Sequence, residues 1–207
     1  MSGPGQAPTR AAVLELREEQ TLVTEAYNFL DEKRLLLAAE IIRQLEHYES
    51  LLARMKTLSI EANRFLASAV ERHGLQGLTV YPAGRLSQAE LETSLSNFMG
   101  VRLIDTELHQ NSAADLPYAA AYPSLAAEEC REVFVDILNL GAVMAGVSGN
   151  LHRLGLEYRI TERRARALEN VILPEIDQSL RQMSGLLEEL DMEDAIRART
   201  TFGMHHR

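Results

Sequence analysis

The chain has 207 residues, a formal charge of −9 and a single cysteine, Cys130. The acidic balance works against nucleic-acid phosphates, which need a basic surface, and one cysteine excludes an internal disulfide and fits a reducing compartment. Tryptophan is absent and aromatics make up 5% of the chain, yet 46% of it is apolar, a mixture that suits narrow helix–helix seams better than a thick core.

Residues 1–10, MSGPGQAPTR, are polar and read as a flexible N-terminus, not a signal peptide. After Pro8 neither Gly nor Pro occurs until Gly74. With Thr9 as N-cap, residues 11–73 are predicted to form one helix of roughly 95 Å at ~1.5 Å per residue. Its apolar residues keep a heptad. One line runs Tyr27, Arg34, Ile41, Tyr48, Met55, Ala62, Ala69, and the other Leu30, Leu37, Gln44, Leu51, Leu58, Phe65. Only Arg34 and Gln44 interrupt it, which makes a coiled-coil seam.

Residues 74–123 form an inserted region in which Gly74, Gly77, Pro82, Gly84, Gly100, Pro117 and Pro123 exclude a long helix. Leu91, Thr93 and Leu95 alternate with polar neighbours, and Val101–Leu108 is rich in branched residues. A β-hairpin with its tip at Phe98, Met99 and Gly100 is the preferred reading. The competing one is a short helix capped at Ser87, with Glu90 as its capping-box partner.

Helical periodicity resumes over residues 124–199. The seam reads Val133, Ile137, Leu140, Met144, Val147, Leu151, Leu154, Tyr158, Thr161, Ala165, Leu168, Ile172, in alternating steps of four and three. Ile172, Ile176 and Leu180 are then spaced four and four, before Met183, Leu187 and Leu190 restore the alternation. Such a step reads as a stutter that locally unwinds a supercoil. It brackets Pro174, which is expected to leave the Asn170 carbonyl without its amide partner and to bend the axis. Residues 200–207 read as a flexible tail. The most apolar window, Val133–Leu151, carries Asp136, Asn139, Ser148 and Asn150 and is rejected as a membrane span.

Two long arms around a short insert predict an all-α fold. It is a long antiparallel two-helix coiled-coil hairpin, with a small β-hairpin or short-helix region inserted at the turn end. With residue 73 opposite about residue 127, Asp31 and Glu32 face Arg163 and Arg166, and Lys33 and Arg34 face Glu169, for equal rises of ~1.5 Å per residue.

Catalytic patterns are absent from the sequence. Gly141, Gly146 and Gly149 match no phosphate loop, and lysine occurs only at Lys33 and Lys56. No Glu-x-x-His pair exists for a carboxylate metal site, and His205 and His206 sit in the tail. Cys130 has only Arg131 as a basic neighbour and reads as an idle thiol. No catalytic residue, cofactor or metal is expected. The arginines Arg159, Arg163, Arg164 and Arg166 read either as a solvated face paired within the helix to Glu162 and Glu169, or as a docking surface. Glycines 141, 146, 149 and 155 each cost about 1 kcal/mol in a helix against Ala; close approach of another backbone is the expected return.

The stretches PTR (8–10), FLDEKRLLL (29–37), NFMGVRL (97–103), RRARALENVILPEI (163–176) and EELDMEDAIRAR (188–199) occur in an order that resembles the D subunit of the V-type (archaeal and bacterial V/A-type) rotary ATPases. The resemblance spans Pro8 to about Arg199. It implies a non-catalytic central rotor shaft of the central stalk, coupling ATP hydrolysis or synthesis to ion transport. It implies as partners the catalytic and nucleotide-binding A- and B-type subunits, a small F-type rotor subunit and a C/d-type subunit capping the membrane ring, with a cytoplasmic, membrane-peripheral location. The register of the two arms, with its complementary charges, gives Asp31, Glu32, Lys33, Arg34, Arg163, Arg164, Arg166, Leu168, Glu169 and Pro174 a structural or interaction role, with Phe98, Met99 and Gly100 at the hairpin tip. Departures are Glu18 and Glu19 in a usually basic first arm, Arg166 for Asn, and Ile104 for a proline. The alternative classes are a free-standing coiled-coil adaptor, a prefoldin-like chaperone subunit and a helical-bundle enzyme.

Overall fold

The computed structural model describes residues 9–81, 89–109 and 124–204. Thr9 opens the first helix as expected: its Oγ1 accepts the Ala12 N–H at 3.2 Å and its carbonyl accepts that of Val13, satisfying two donors that a helix start leaves unpaired. The helix, α1, runs Arg10–Val80. It is interrupted at Gly74, whose φ of 69° and ψ of 162° lie in a region only glycine occupies without strain. The predicted end at residue 73 falls on this break, and a further helical stretch follows it.

Strand β1 (Glu90–Phe98) pairs antiparallel with β2 (Val101–His109), in register from Glu90 opposite His109 to Phe98 opposite Val101. Met99 and Gly100 join them with φ of 50° and 87°. Two positive φ values make a type I′ turn, whose twist matches that of the strands. The hairpin reading therefore holds and the short-helix reading does not: Glu90 begins a strand, and Ser87 lies outside the described residues.

Ser124 caps the second arm, its carbonyl taking the N–H of Ala127 and Glu128. The arm comprises α2 (Leu125–Ala167), a π-helical turn (Leu168–Ile172) and α3 (Leu173–Met204). Helix thus continues past the predicted end at residue 199. Among the described residues, Leu125–Arg199 is the one helical stretch long and apolar enough to cross a membrane by length and composition alone.

The chain divides into two units: a middle unit, Leu37–Tyr158, and a terminal unit holding the residues up to Leu36 and those from Arg159 onward. In the middle unit Leu37, Val101, Leu103 and Leu154 form the buried cluster, with Ile41, Phe98, Met99 and Tyr158 packed on it. Leu37 and Leu154 are fully buried, each stabilising the unit by about 1.5–3 kcal/mol. In the terminal unit Arg10 pairs with Asp191 at 3.2 Å, and Gln20 Nε2 donates to Asp177 Oδ1 at 2.5 Å.

The heptad is visible in the burial pattern. Every seam position read from α1, Arg34 and Gln44 included, is buried or half-buried, and so is every one in the second arm except Leu190. The alternating Leu91 and Leu95 of β1 are 55% and 72% exposed, and the buried apolar residues of the hairpin are Val101 and Leu103 of β2.

Candidate functional sites: a clamped hairpin and a π-turn

In an antiparallel pair, alternate residues of each strand direct their N–H and C=O away from the partner. Ile104 of β2 is one of these, and Asn150 of α2 answers both groups. Asn150 Oδ1 accepts the Ile104 N–H at 2.8 Å, and its Nδ2 donates to the Ile104 carbonyl at 3.0 Å. The amide thus stands in for a third strand. It is wholly buried, and Arg153 Nη2 donates to its Oδ1 at 2.8 Å, which fixes which end of the amide is oxygen. Two residues along β2, Thr106 Oγ1 donates to the Ala142 carbonyl at 2.5 Å.

Gly146 lets the two backbones meet. A Cβ there would lie 2.5 Å from Thr106 Oγ1, 3.1 Å from the Ile104 carbonyl oxygen and 3.3 Å from Thr106 N. Of the four glycines expected to mark backbone approach, only this one does. Gly141 has Met55 Cε at 4.0 Å, Gly149 meets the Arg153 side chain, and Gly155 has nothing within 4 Å.

From α1, Glu40 is buried and its carboxylate accepts Arg43 Nε at 2.8 Å, Arg43 Nη2 at 2.6 Å and Gln44 Nε2 at 2.9 Å. That network explains Gln44 in an apolar seam. Hydrogen bonds from Arg43 hold the Glu40 carboxyl below its ordinary range against the opposing effect of burial, with Gln44 assisting. Glu40, chiefly, raises the Arg43 guanidinium, and Asp105 of β2 adds to this. Just past the end of α1, the Tyr81 hydroxyl donates to Glu128 Oε1 at 2.9 Å, and Arg131 pairs with the same carboxylate. Burial pushes the Cys130 thiol up, which favours the unreactive protonated form.

The second arm departs from α-helix at Leu168–Ile172, where the Leu173 N–H reaches back five residues to the Leu168 carbonyl. No residue of this π-turn is buried. The expected proline defect is therefore met differently. Pro174 is the second residue of α3, immediately after the widened turn, where its ring is spared the close approach to the preceding turn's carbonyl that an unbroken α-helix imposes.

The structure places the sequence-predicted residues as follows. Arg34 Nη2 bonds Asp31 Oδ1 at 2.5 Å on its own helix, and Arg166 pairs with Glu162 at 2.6 Å. Glu32, Arg163, Arg164, Arg166, Glu169 and Pro174 are exposed; Asp31, Lys33, Arg34 and Leu168 are half-buried. Tyr27 brings the two groups of residues together. Its phenol is raised by the Glu169 charge first, with burial and Asp31 adding and Arg34 opposing, and it hydrogen-bonds Glu169. Phe98 and Met99 pack on the core, so the hairpin tip is turned inward at its base.

Asn150, Thr106, Glu40 and Tyr27 were not singled out from sequence as interaction residues. Asn150 had a signal: it lies three residues after Val147 and four before Leu154, a polar residue on an apolar helix face. No group of three or more His, Cys, Asp or Glu that could hold a metal occurs among the described residues.

Seams, a strand clamped by a side-chain amide and intrahelical ion pairs define a helical structural protein, built from contacts. The model for the family described as the D subunit of ATP synthase matches residues 12–201. The D subunit of the V-type ATP synthase of Thermotoga neapolitana is 27% identical over 92% of this chain and 94% of its own length. The D subunits of the A-type ATP synthases of Thermococcus kodakarensis and Pyrococcus horikoshii are 28% and 29% identical, each over 92% of this chain and 90% of theirs. The chain belongs to the family of ATP synthase D subunits, the central-stalk components of rotary ATPases.

Proposed function

We propose that the chain is a non-catalytic rotor shaft, an antiparallel helical hairpin that carries rotation between an ATP-hydrolysing ring and an ion-translocating membrane ring. One observation carries this reading: the contacts between arms run in opposite senses. In the terminal unit Arg10 meets Asp191, Gln20 meets Asp177 and Tyr27 meets Glu169, so the second number falls as the first rises. In the middle unit Met55 lies by Gly141 and Tyr81 meets Glu128 in the same sense. Within each unit, such antiparallel pairing resists twisting better than a single helix.

The terminal unit enters the ring of A- and B-type subunits, a small F-type subunit lies along the coiled coil, and the end bearing the insert rests on a C/d-type subunit. The location is the soluble, membrane-peripheral sector. The chain acts by presenting different contacts in each orientation, a differential contact energy that shifts each surrounding site in turn. A free-standing adaptor or prefoldin-like role is not favoured, because the family match covers nearly the whole chain.

The deciding experiment places a fluorescent probe at Asp105→Cys, in a Cys130→Ser chain, within the complete vesicle-reconstituted complex. ATP should make the probe turn and drive ion uptake, and complex lacking the chain should hydrolyse without uptake. A stationary probe in an actively pumping complex would exclude the shaft role.

A further inference from the structure

Both seam lines of the second arm step by seven, and both make a single step of eight at the same place. One passes from Thr161 to Leu168 and then to Ile176; the other from Ala165 to Ile172 and then to Leu180. One surplus residue is therefore present between two regular heptad tracts. Spread over the helix it would unwind a supercoil. Here it is confined to one wide turn, Leu168–Ile172, so Ala165 before the turn and Ile176 after it are both buried, at 2% and 5% exposure.

Pro174 fixes where the turn sits. In an uninterrupted α-helix its ring would press on the carbonyl four residues back. With the π-turn immediately upstream, Pro174 is the second residue of α3 and makes no such demand. Movement of the turn towards the C-terminus would return the proline to mid-helix. Movement the other way runs as far as the buried Ala165 and crosses one half-buried seam residue, Leu168, and the Glu169 carboxylate bonded to Tyr27; Arg166, Ala167, Asn170 and Val171 are exposed. Shifting a π-turn by one position passes the intervening residue from one helical frame to the other, a rotation of about 100° for that residue alone. Single π-turns of this kind are uncommon and concentrate at functional positions.

We propose that the Leu168–Ile172 π-turn is a twist-absorbing joint, made by one surplus residue and held in place by Pro174. Exchange of the turn among registers over residues 166–172 lets α3 rotate slightly against α2 while the buried Ala165 and Ile176 keep their places, with the half-buried Leu168 as the seam residue that changes frame. The surplus residue, and not the proline, creates the joint. This inference rests on the rotor-shaft reading for its mechanical role.

Three variants separate the causes: deletion of Val171, Pro174→Ala, and deletion of Gln182 as a control elsewhere in α3. Each is made in full-length Cys130→Ser chain carrying either Gln20→Cys with Asp177→Cys or Arg10→Cys with Asp191→Cys. Deletion of Val171 should convert the turn to α-helix, keep both intrachain disulfides, and slow amide exchange over 166–173 roughly tenfold. Pro174→Ala should keep both disulfides and the fast exchange, because the surplus residue remains. Deletion of Gln182 should lose the Arg10–Asp191 link, since it rotates everything beyond it. The proposal is overturned if deletion of Val171 loses either link, or if Pro174→Ala alone abolishes the fast exchange. In the assembled complex held without ATP, the angular spread of the Asp105→Cys probe should narrow on deletion of Val171; an unchanged spread overturns the mechanical role. A wild-type complex whose probe never turns in ATP overturns the shaft reading and that role with it, while the disulfides still decide the origin of the turn.

Discussion

The second arm breaks its own regularity twice, and the two breaks are opposites. At Gly146 and Asn150 the helix gives up a side chain and inserts a polar one, and both changes are filled by β2. At Leu168–Ile172 it gains a residue in a turn with no buried residue, which meets α1 through the exposed Glu169 carboxylate bonded to Tyr27. The first break is an attachment and the second a slack turn. A departure from the heptad is therefore informative only once its occupant is known: filled by strand backbone it locks, and met only by an exposed carboxylate it yields.

The comparison predicts steep losses at the clamp and shallow ones at the turn. Gly146→Val should be the most damaging change, because its Cβ and methyls meet strand backbone as well as the Thr106 hydroxyl. A loss of about 3 kcal/mol is expected, at the upper end for overpacking, measured from denaturant midpoints; a loss within experimental error would mean that the hairpin is not seated there. Asn150→Leu should follow with about 2 kcal/mol, the range for leaving buried partners of a hydrogen bond unsatisfied. Asn150→Asp keeps the acceptor for the Ile104 N–H and loses the donor to its carbonyl, so it should rescue stability only in part. Equal stability of wild type and Asn150→Leu would reduce the clamp to a by-product of packing.

Gly100→Ala tests whether the hairpin is shaped by its turn or by its clamp. At a φ of 87° an L side chain is strained by about 1 kcal/mol or more, and amide exchange of β1 should rise while Asn150 still holds β2. A smaller effect is expected at Glu40. Its folded carboxyl titrates below the ordinary value of about 4.5, so its contribution is complete above that value and is lost as the pH falls through the lower, folded one. Thermal midpoints of wild type should therefore drop more steeply below pH 4.5 than those of Glu40→Gln; parallel curves would show that the Arg43–Gln44 network is energetically idle. Val171→Gln should be the mildest, within about 0.5 kcal/mol as for other exposed positions. A large loss there would mean that the turn is occupied after all.

Much of the fold was legible because a heptad depends on residue type alone. Thr9, Ser124, the tip at Met99–Gly100 and nearly every seam position emerged from local chemistry and spacing. The clamp was not, because it joins β2 to a helix residue 46 positions away, and one glycine among four carries no mark of which strand it will meet. Which strand of the hairpin meets the core was hidden for a related reason. Alternation says that one face is apolar, but Leu91 and Leu95 were covered only if something lay over them, and the core instead took Val101 and Leu103. At the π-turn the signal was present and the mechanism was not: a step of eight in both lines is equally a stutter or a bulge until the backbone chooses. The proposed interaction role of Arg163, Arg164 and Arg166 depends on surfaces beyond this chain, and no pattern within it specifies them.

The Asn150 amide has a last consequence, for solubility. A two-stranded ribbon ordinarily offers two edges on which further strands can accrete, the route by which sheets grow into fibres. Here a side chain occupies the β2 edge, leaving β1 as the open one among the described residues. At Ile104 the outward N–H and C=O are both taken, so a further strand finds no ladder partner there. One buried asparagine thereby shields that edge against strand addition, a safeguard written into a helix instead of into the strand it protects.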